Sequence, residues 1–268
     1  MKSTPVPVAV TDLGARRVSV LVGGVSELFQ SDLDLGRLAV ERLWMEELGP
    51  DVLVEELHYG AVAVAQRLED LRPDTLVLIS AVRRDRPVGT VERRWIDPPA
   101  STPADLQVAV GDAVTGYVHP DLVVDIASGF GVLPTRTVAI EVEPECTGSG
   151  EGLSASATLA LEAALSLVRI EVRRAPVLVL ASQLRPLVCG DRLESSTALT
   201  ALRALLVELE HLDRDGRWGR SLAVRDRLKL SIATGGNGQG MDHRDWALWW
   251  TLIEELDRLA AAEAAVPY

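Results

Sequence analysis

The sequence predicts an α/β fold, a three-layer α-β-α domain with a mostly parallel central sheet, followed by a C-terminal helical extension. Three observations carry this. Strand-like runs stand at 18–22, 75–80 and 135–144, the first suited to a strand covered on both faces. Between and around them the elements alternate as β-α-β-α-β-β-α-β-α, the order of a sheet with helices on both faces. Past Arg174 the pattern changes to successive helical stretches, which places a division at 1–174 and 175–268.

Val18–Leu43 organises the first part. Val18, Val20, Leu21 and Val22 form a buried strand ending at Gly23-Gly24, and Leu35, Leu38, Ala39 and Leu43 recur at helical spacing. Ser31, Asp32 and Asp34 precede that helix, where side-chain oxygens cap exposed amides and carboxylates suit the helix dipole. Such a strand-to-helix turn is where open α/β sheets bind ligands. DVLVEELH (51–58) reads as a second strand, and AVAVAQRLEDL (61–71) as a helix stopped by Pro73. TLVLIS (75–80) is a central strand, RRDRPVGT (83–90) a turn-rich surface loop, and VERRWI (91–96) a further strand. DPPASTPAD (97–105) gives way to a weak helical pattern, and 117–128 is a helix with Leu122, Val123, Ile126 and Ala127 on one face.

TRTVAIEVEP (135–144) is a strand in which Glu141, Glu143 and Glu145 alternate, which predicts a solvated edge. A Gly-rich loop, 145–152, leads into a long helix over 153–172 capped by Ser154 or Ser156. APVLVLAS (175–182) reads as one more strand or a buried linker. Helical patterns follow at 193–212, 217–234 and 243–264, with GGNGQG (235–240) breaking the last two apart. Trp246, Trp249 and Trp250 sit at i, i+3, i+4, the spacing of a core stripe.

At 268 residues and 47% hydrophobic, the chain has ample material for a packed core. A net charge of −12 excludes the concentrated basic face of a nucleic-acid binder; the short arginine groups at Arg83-Arg84-Arg86, Arg93-Arg94 and Arg173-Arg174 read as solvated surface. No apolar run approaches the roughly 18–20 residues of a membrane span, and the N-terminal stretch lacks a secretory pattern, so the expected location is cytoplasmic with no membrane partner. Cys146 and Cys189 match no metal or redox spacing and are expected to be free thiols. No G-x-S-x-G elbow, G-x-G-x-x-G turn or phosphate-binding P-loop is present.

Four segments, in order, resemble the hydrogenase maturation proteases, the endopeptidases that trim the C-terminus of a nickel-iron hydrogenase large subunit. The family's strand followed by GN-x-L-x-x-D-E/D-G-x-G is met by GGVSELFQSDLDLG (23–36), where Leu28, Asp32 and Gly36 match. VEELHYGA (54–61) meets the DGGT pattern at Gly60 but carries His58 where the family has aspartate. LVLISAVRRDRPVGT (76–90) meets the D-A…P-G-T pattern at Ala81, Pro87, Gly89 and Thr90, with Ser80 in place of the aspartate. HPDLVVDIAS (119–128) supplies His119 in the histidine's place and a matching Asp125, and VEP (142–144) and GLS (152–154) meet the closing pattern. The resemblance covers about three fifths of the chain.

It implies a protein partner, a hydrogenase large-subunit precursor, and a nickel site made by glutamate, aspartate and histidine. In this chain those places hold Leu33, Ser80 and His119. Leucine has no lone pair, and serine is a poor ligand for a divalent transition metal. A register shifted by one residue brings Asp32 or Asp34 to the glutamate's place. A rearranged set, His58, His119 and Asp32, would suit nickel or zinc; without it, no cofactor is expected. Two functional expectations result. One is a maturation protease-like protein acting on the precursor with an altered or lost metal site. The other is a non-catalytic assembly factor that binds the precursor through its cleft and helical extension.

Overall fold

The computed structural model describes residues 17–98, 102–114, 118–189, 197–234 and 243–264. The lead-in 1–16 and the GGNGQG break at 235–240 lie outside the described residues. In chain order the elements are β1 (Val20–Gly24), α1 (Leu35–Leu43), β2 (Val52–Glu56), α2 (Ala61–Leu71), β3 (Thr75–Ala81), β4 (Val91–Trp95), α3 (Pro103–Ala113), α4 (Pro120–Gly129) and β5 (Arg136–Val142), then α5 (Ala155–Cys189), α6 (Thr197–Arg214), α7 (Ser221–Thr234) and α8 (His243–Ala264). A 3-10 turn, Ser31–Asp34, leads into α1.

The strands form one sheet in the order β2-β1-β3-β5-β4. β1, β2, β3 and β5 are parallel, and β4 closes one edge antiparallel to β5. The strand alternation sends Val20, Val22, Val77, Ile79, Ile140 and Val142 to the face covered by α1 and α5. Leu21, Leu76, Leu78 and Ala139 go to the face covered by α2, α3 and α4. This double covering is why the strand runs are continuously apolar. The connection through α1 leaves β1 on one side and that through α2 returns on the other, so the strand order reverses between β1 and β3. Loops from four parallel strands gather at the C-terminal edge beside that reversal, the usual ligand position in such sheets.

Glycine is required where α1 lies against β1. A Cβ on Gly24 would stand 2.3 Å from the Gly36 carbonyl oxygen, and one on Gly36 would stand 2.4 Å from that of Val25 and 2.7 Å from that of Ile79. Backbone on both sides leaves no flexible group to give way. Gly36→Ala is expected to destabilise the protein by about 3 kcal/mol through overpacking. Urea denaturation reads this directly, and a midpoint equal to that of the parent chain would show that α1 shifts freely on the sheet.

The largest departure from expectation is at 175–182, which is neither a strand nor a linker but the middle of α5, a single helix of 35 residues. The division expected at 174/175 therefore falls inside one element. A proline such as Pro176 within a helix opposes this locally, and the valine-rich run favours a strand. Burial overrides both. Val177, Ala181, Leu184 and Val188 fall on one helical face and join Leu205, Leu209, Trp249 and Leu252 in the core of the extension. The first half of α5 meanwhile covers the sheet with Ala157, Ala164, Leu165 and Val168. Of the tryptophan stripe, Trp249 is fully buried and Trp246 packs against the same core, whereas Trp250 is half exposed. No described helix is long and apolar enough to cross a membrane.

Candidate functional site

The C-terminal edge of the sheet is held together by Asp32. Its buried carboxylate accepts hydrogen bonds from the backbone N–H groups of Ser154 (2.7 Å), Glu145 (2.8 Å) and Cys146 (2.9 Å) and from the Ser154 hydroxyl (2.9 Å). Burial disfavours the carboxylate, but these donors outweigh it and hold its pKa below the usual aspartate value. Two segments far apart in sequence, the turn before α1 and the loop between β5 and α5, are thereby locked together. Ser154 also caps α5 by accepting from the Ala157 N–H.

Asp34 occupies the N-cap position of α1, but neither its side chain nor that of Asp32 makes the expected capping bond: Asp34 takes a fork of bonds from Arg37, and the Arg37 N–H in the first turn donates instead to the Ser26 hydroxyl at 2.6 Å. The helix begins after a 3-10 turn that aims Asp32 across to the neighbouring loop, so proximity in sequence misidentified the cap.

The other expected site residues have these places. Leu33 is partly buried against the core between the sheet, α1 and α5. Ser80, near the end of β3 and paired in register with Glu141, is buried and its hydroxyl has no hydrogen-bond partner. His58 follows β2; its Nδ1 lies 3.1 Å from a Glu56 carboxylate oxygen but out of line for a hydrogen bond. His119 caps α4, its Nδ1 accepting from the Asp121 N–H at 3.3 Å.

Beside His119 lies a salt-bridge cluster that sequence reasoning missed. Glu141 and Glu143, expected on a solvated edge, are buried, and the arginines expected at the surface neutralise them. Arg84 forks onto Asp121 with two bonds of 2.8 Å and reaches Glu141 at 2.9 Å. Arg94 binds Glu141 at 2.6 Å and Asp121 at 3.1 Å, and Arg86 ties Glu141, Glu143 and Glu92 together. Glu143 also accepts the Arg84 backbone N–H at 2.9 Å. Burial opposes ionisation of Glu141, but the bonds from Arg84 and Arg94 prevail and lower its pKa; Asp121 is lowered in the same way by Arg84. Alternating glutamates on one strand and arginines on the next were the available signal. Recognising it needed the antiparallel pairing of β4 with β5, which sets Arg94 opposite Ala139, two residues before Glu141 and on the same face of the strand.

These residues do not fit the three-donor metal centre that the resemblance implies. Among the described residues no group of three or more His, Cys, Asp or Glu side chains is disposed to hold a metal ion. All four hydrogen bonds of Asp32 serve the fold, and His119 uses Nδ1 as a cap. A divalent cation on His119 would also face the guanidinium groups of Arg84 and Arg94, both bound to the adjacent Asp121. Beside charged groups such as Arg83, Asp85 and Glu145, the edge exposes Leu28, Phe29, Tyr59 and Val88 on the loops after β1, β2 and β3, and Phe29 is held at a φ of 59°. Cys146 is a free, exposed thiol.

The described elements define a three-layer α-β-α protein whose strand order reverses between β1 and β3. Solved structures similar to it include hydrogenase maturation peptidases. The hydrogenase 2 maturation peptidase from a Thaumarchaeota archaeon is 22% identical, with 56% of this chain and 94% of that one covered and a TM-score of 0.40. The hydrogenase maturating endopeptidase HybD from E. coli is 22% identical, with coverage of 58% and 93% and a TM-score of 0.44. The NiFe hydrogenase maturation protease HycI from Thermococcus kodakarensis is 19% identical, with coverage of 59% and 94% and a TM-score of 0.38. No protein-family model and no curated protein matches the chain.

Proposed function

We propose that this chain is a hydrogenase maturation protease-like protein that binds a hydrogenase large-subunit precursor without metal-dependent cleavage. The observation that carries this is the replacement at the cleft. Where the resemblance implies glutamate, aspartate and histidine around nickel, Leu33 packs into the core, the Ser80 hydroxyl is buried, and His119 shares Asp121 with two arginines. Among the motif residues that remain, Asp32 and Ser154 hold the loops together and Gly36 lets α1 lie against the sheet. Retaining the scaffold while losing the donors favours recognition over hydrolysis. The exposed apolar rim of Leu28, Phe29, Tyr59 and Val88 suits a protein partner.

The test is to mix purified chain with purified large-subunit precursor, with and without added nickel or zinc, and follow complex formation by size exclusion and precursor length by intact mass. A complex with an unshortened precursor is expected, together with no tight nickel or zinc binding in calorimetry. Shortening of the precursor that disappears in His119→Ala would instead establish a working protease. Absence of any complex would overturn recognition of this partner.

A further inference from the structure

A cavity of about 960 Å³ lies at the opposite edge of the sheet, where α5 and α6 meet the loops leading into β3 and β5. We propose that it is a second binding site, taking a small oxyanion, a carboxylate or phosphate group, on Arg136 and Thr75. The two residues begin β5 and β3 and are direct register partners on adjacent parallel strands. Thr75 shares its face with Val77 and Ile79, and Arg136 reaches Glu171 on α5, so both project toward the helical extension. Both line the cavity.

Each also keeps one buried polar atom without a partner. Arg136, only 7% exposed, spends Nε and Nη2 on Asp213 and Glu171, while its Nη1 has no acceptor. The Thr75 hydroxyl, 1% exposed, is likewise unpartnered. A buried donor left unmade is costly, and two of them on paired residues that line one cavity are matched by a single ligand with several acceptor oxygens.

The charge of the ligand follows from the surrounding cluster. Arg136, with Arg93 and Arg174, is bound to the carboxylates of Glu171 and Asp213, and its remaining N–H group belongs to a cation, which suits an acceptor that carries negative charge. Of the other acids on the wall, Asp74 is engaged by Arg17 and Ser19 and Glu210 by Arg185, while Glu69 stands three residues before Arg72. At the cavity mouth the exposed Arg72 donates to the Glu69 backbone carbonyl. An anion is favoured over a neutral carbonyl compound, and the volume is that of ordinary small-molecule sites, roughly 300–1,000 Å³.

The test is calorimetric titration of the full chain at low salt with inorganic phosphate and, separately, with succinate; the better-bound probe identifies the oxyanion class. One equivalent of at least one of them is expected, with a Kd below about 1 mM. Thr75→Val removes a hydroxyl that no protein group uses, so its thermal midpoint should match the parent while the Kd rises about tenfold, the value of one hydrogen bond to a charged group. Arg72→Ala, at the exposed mouth, should weaken binding several-fold. His119→Ala, at the other edge, should leave it unchanged, which keeps the result separate from that of the precursor experiment. No binding of either anion, or equal binding in the parent, Thr75→Val and Arg72→Ala chains, would overturn the proposal.

Discussion

Asp32→Ala is expected to cost about 4–5 kcal/mol, a third or more of the stability of an ordinary domain. The four donors around this buried carboxylate come from three residues on the loop joining β5 to α5. Removing it forfeits charge-assisted bonds of about 1.5–3 kcal/mol each and leaves backbone N–H groups buried without acceptors, although the losses overlap. Asp32→Asn keeps the shape but turns an NH2 group toward donors, so it should recover only part of the loss. The pH dependence has a definite sign. Because the folded pKa lies below the unfolded value, the stabilisation is fully present above about pH 4 and is lost as pH falls through the folded pKa. Urea denaturation at pH 7 and at successively lower pH checks both points: the gap between the parent and Asp32→Asn should narrow below about pH 4. Equal midpoints at pH 7 would show that the loop is held by other contacts.

The same residue shows how far the sequence was legible. The pattern around Asp32 placed the first strand and the helix that follows it, because strand runs, glycine stops and helical periodicity are local signals. The helix AVAVAQRLEDL was recovered to the residue, as α2. Partnership across the chain was not local. Asp32 is satisfied by a loop more than a hundred positions away, and nothing near it distinguishes that role from capping α1. Glu141 and Glu143 read as solvated because alternating acids normally are, and Arg84, Arg86 and Arg94 read as surface for the same reason. Only the register of β4 on β5 and the return of the loop after β3 bring them together. The missed half of α5 has a third cause: a proline and β-branched residues voted for a strand, and packing against α6 and α8 decided otherwise.

Glu171→Ala is the second large effect, and it tests how the helical extension is joined to the sheet. Glu171 on α5 is fully buried and accepts from Arg93 on β4 (2.9 Å), Arg136 on β5 (2.5 Å) and Arg174 one turn along its own helix (3.2 Å). Burial opposes its charge, yet the arginines, Arg136 foremost, hold its pKa below the ordinary glutamate value. Asp213 on α6 shares Arg93 and Arg136, so the cluster spans both layers. Such a cluster stabilises little compared with an apolar replacement of the whole, but removing one member strands the others. With Glu171 gone, three guanidinium groups remain against Asp213, and a loss of about 3–5 kcal/mol is expected. Glu171→Gln separates charge from shape and should lose less, since its carbonyl oxygen still accepts one or two of those bonds. Salt provides the control: raising ionic strength screens exposed pairs such as Arg214–Asp97 but reaches this buried cluster weakly, so the difference between parent and Glu171→Ala should persist at 1 M salt. A difference that collapses with salt would mean that water enters the cluster. The extension would then be joined to the sheet by α5 and its apolar contacts alone.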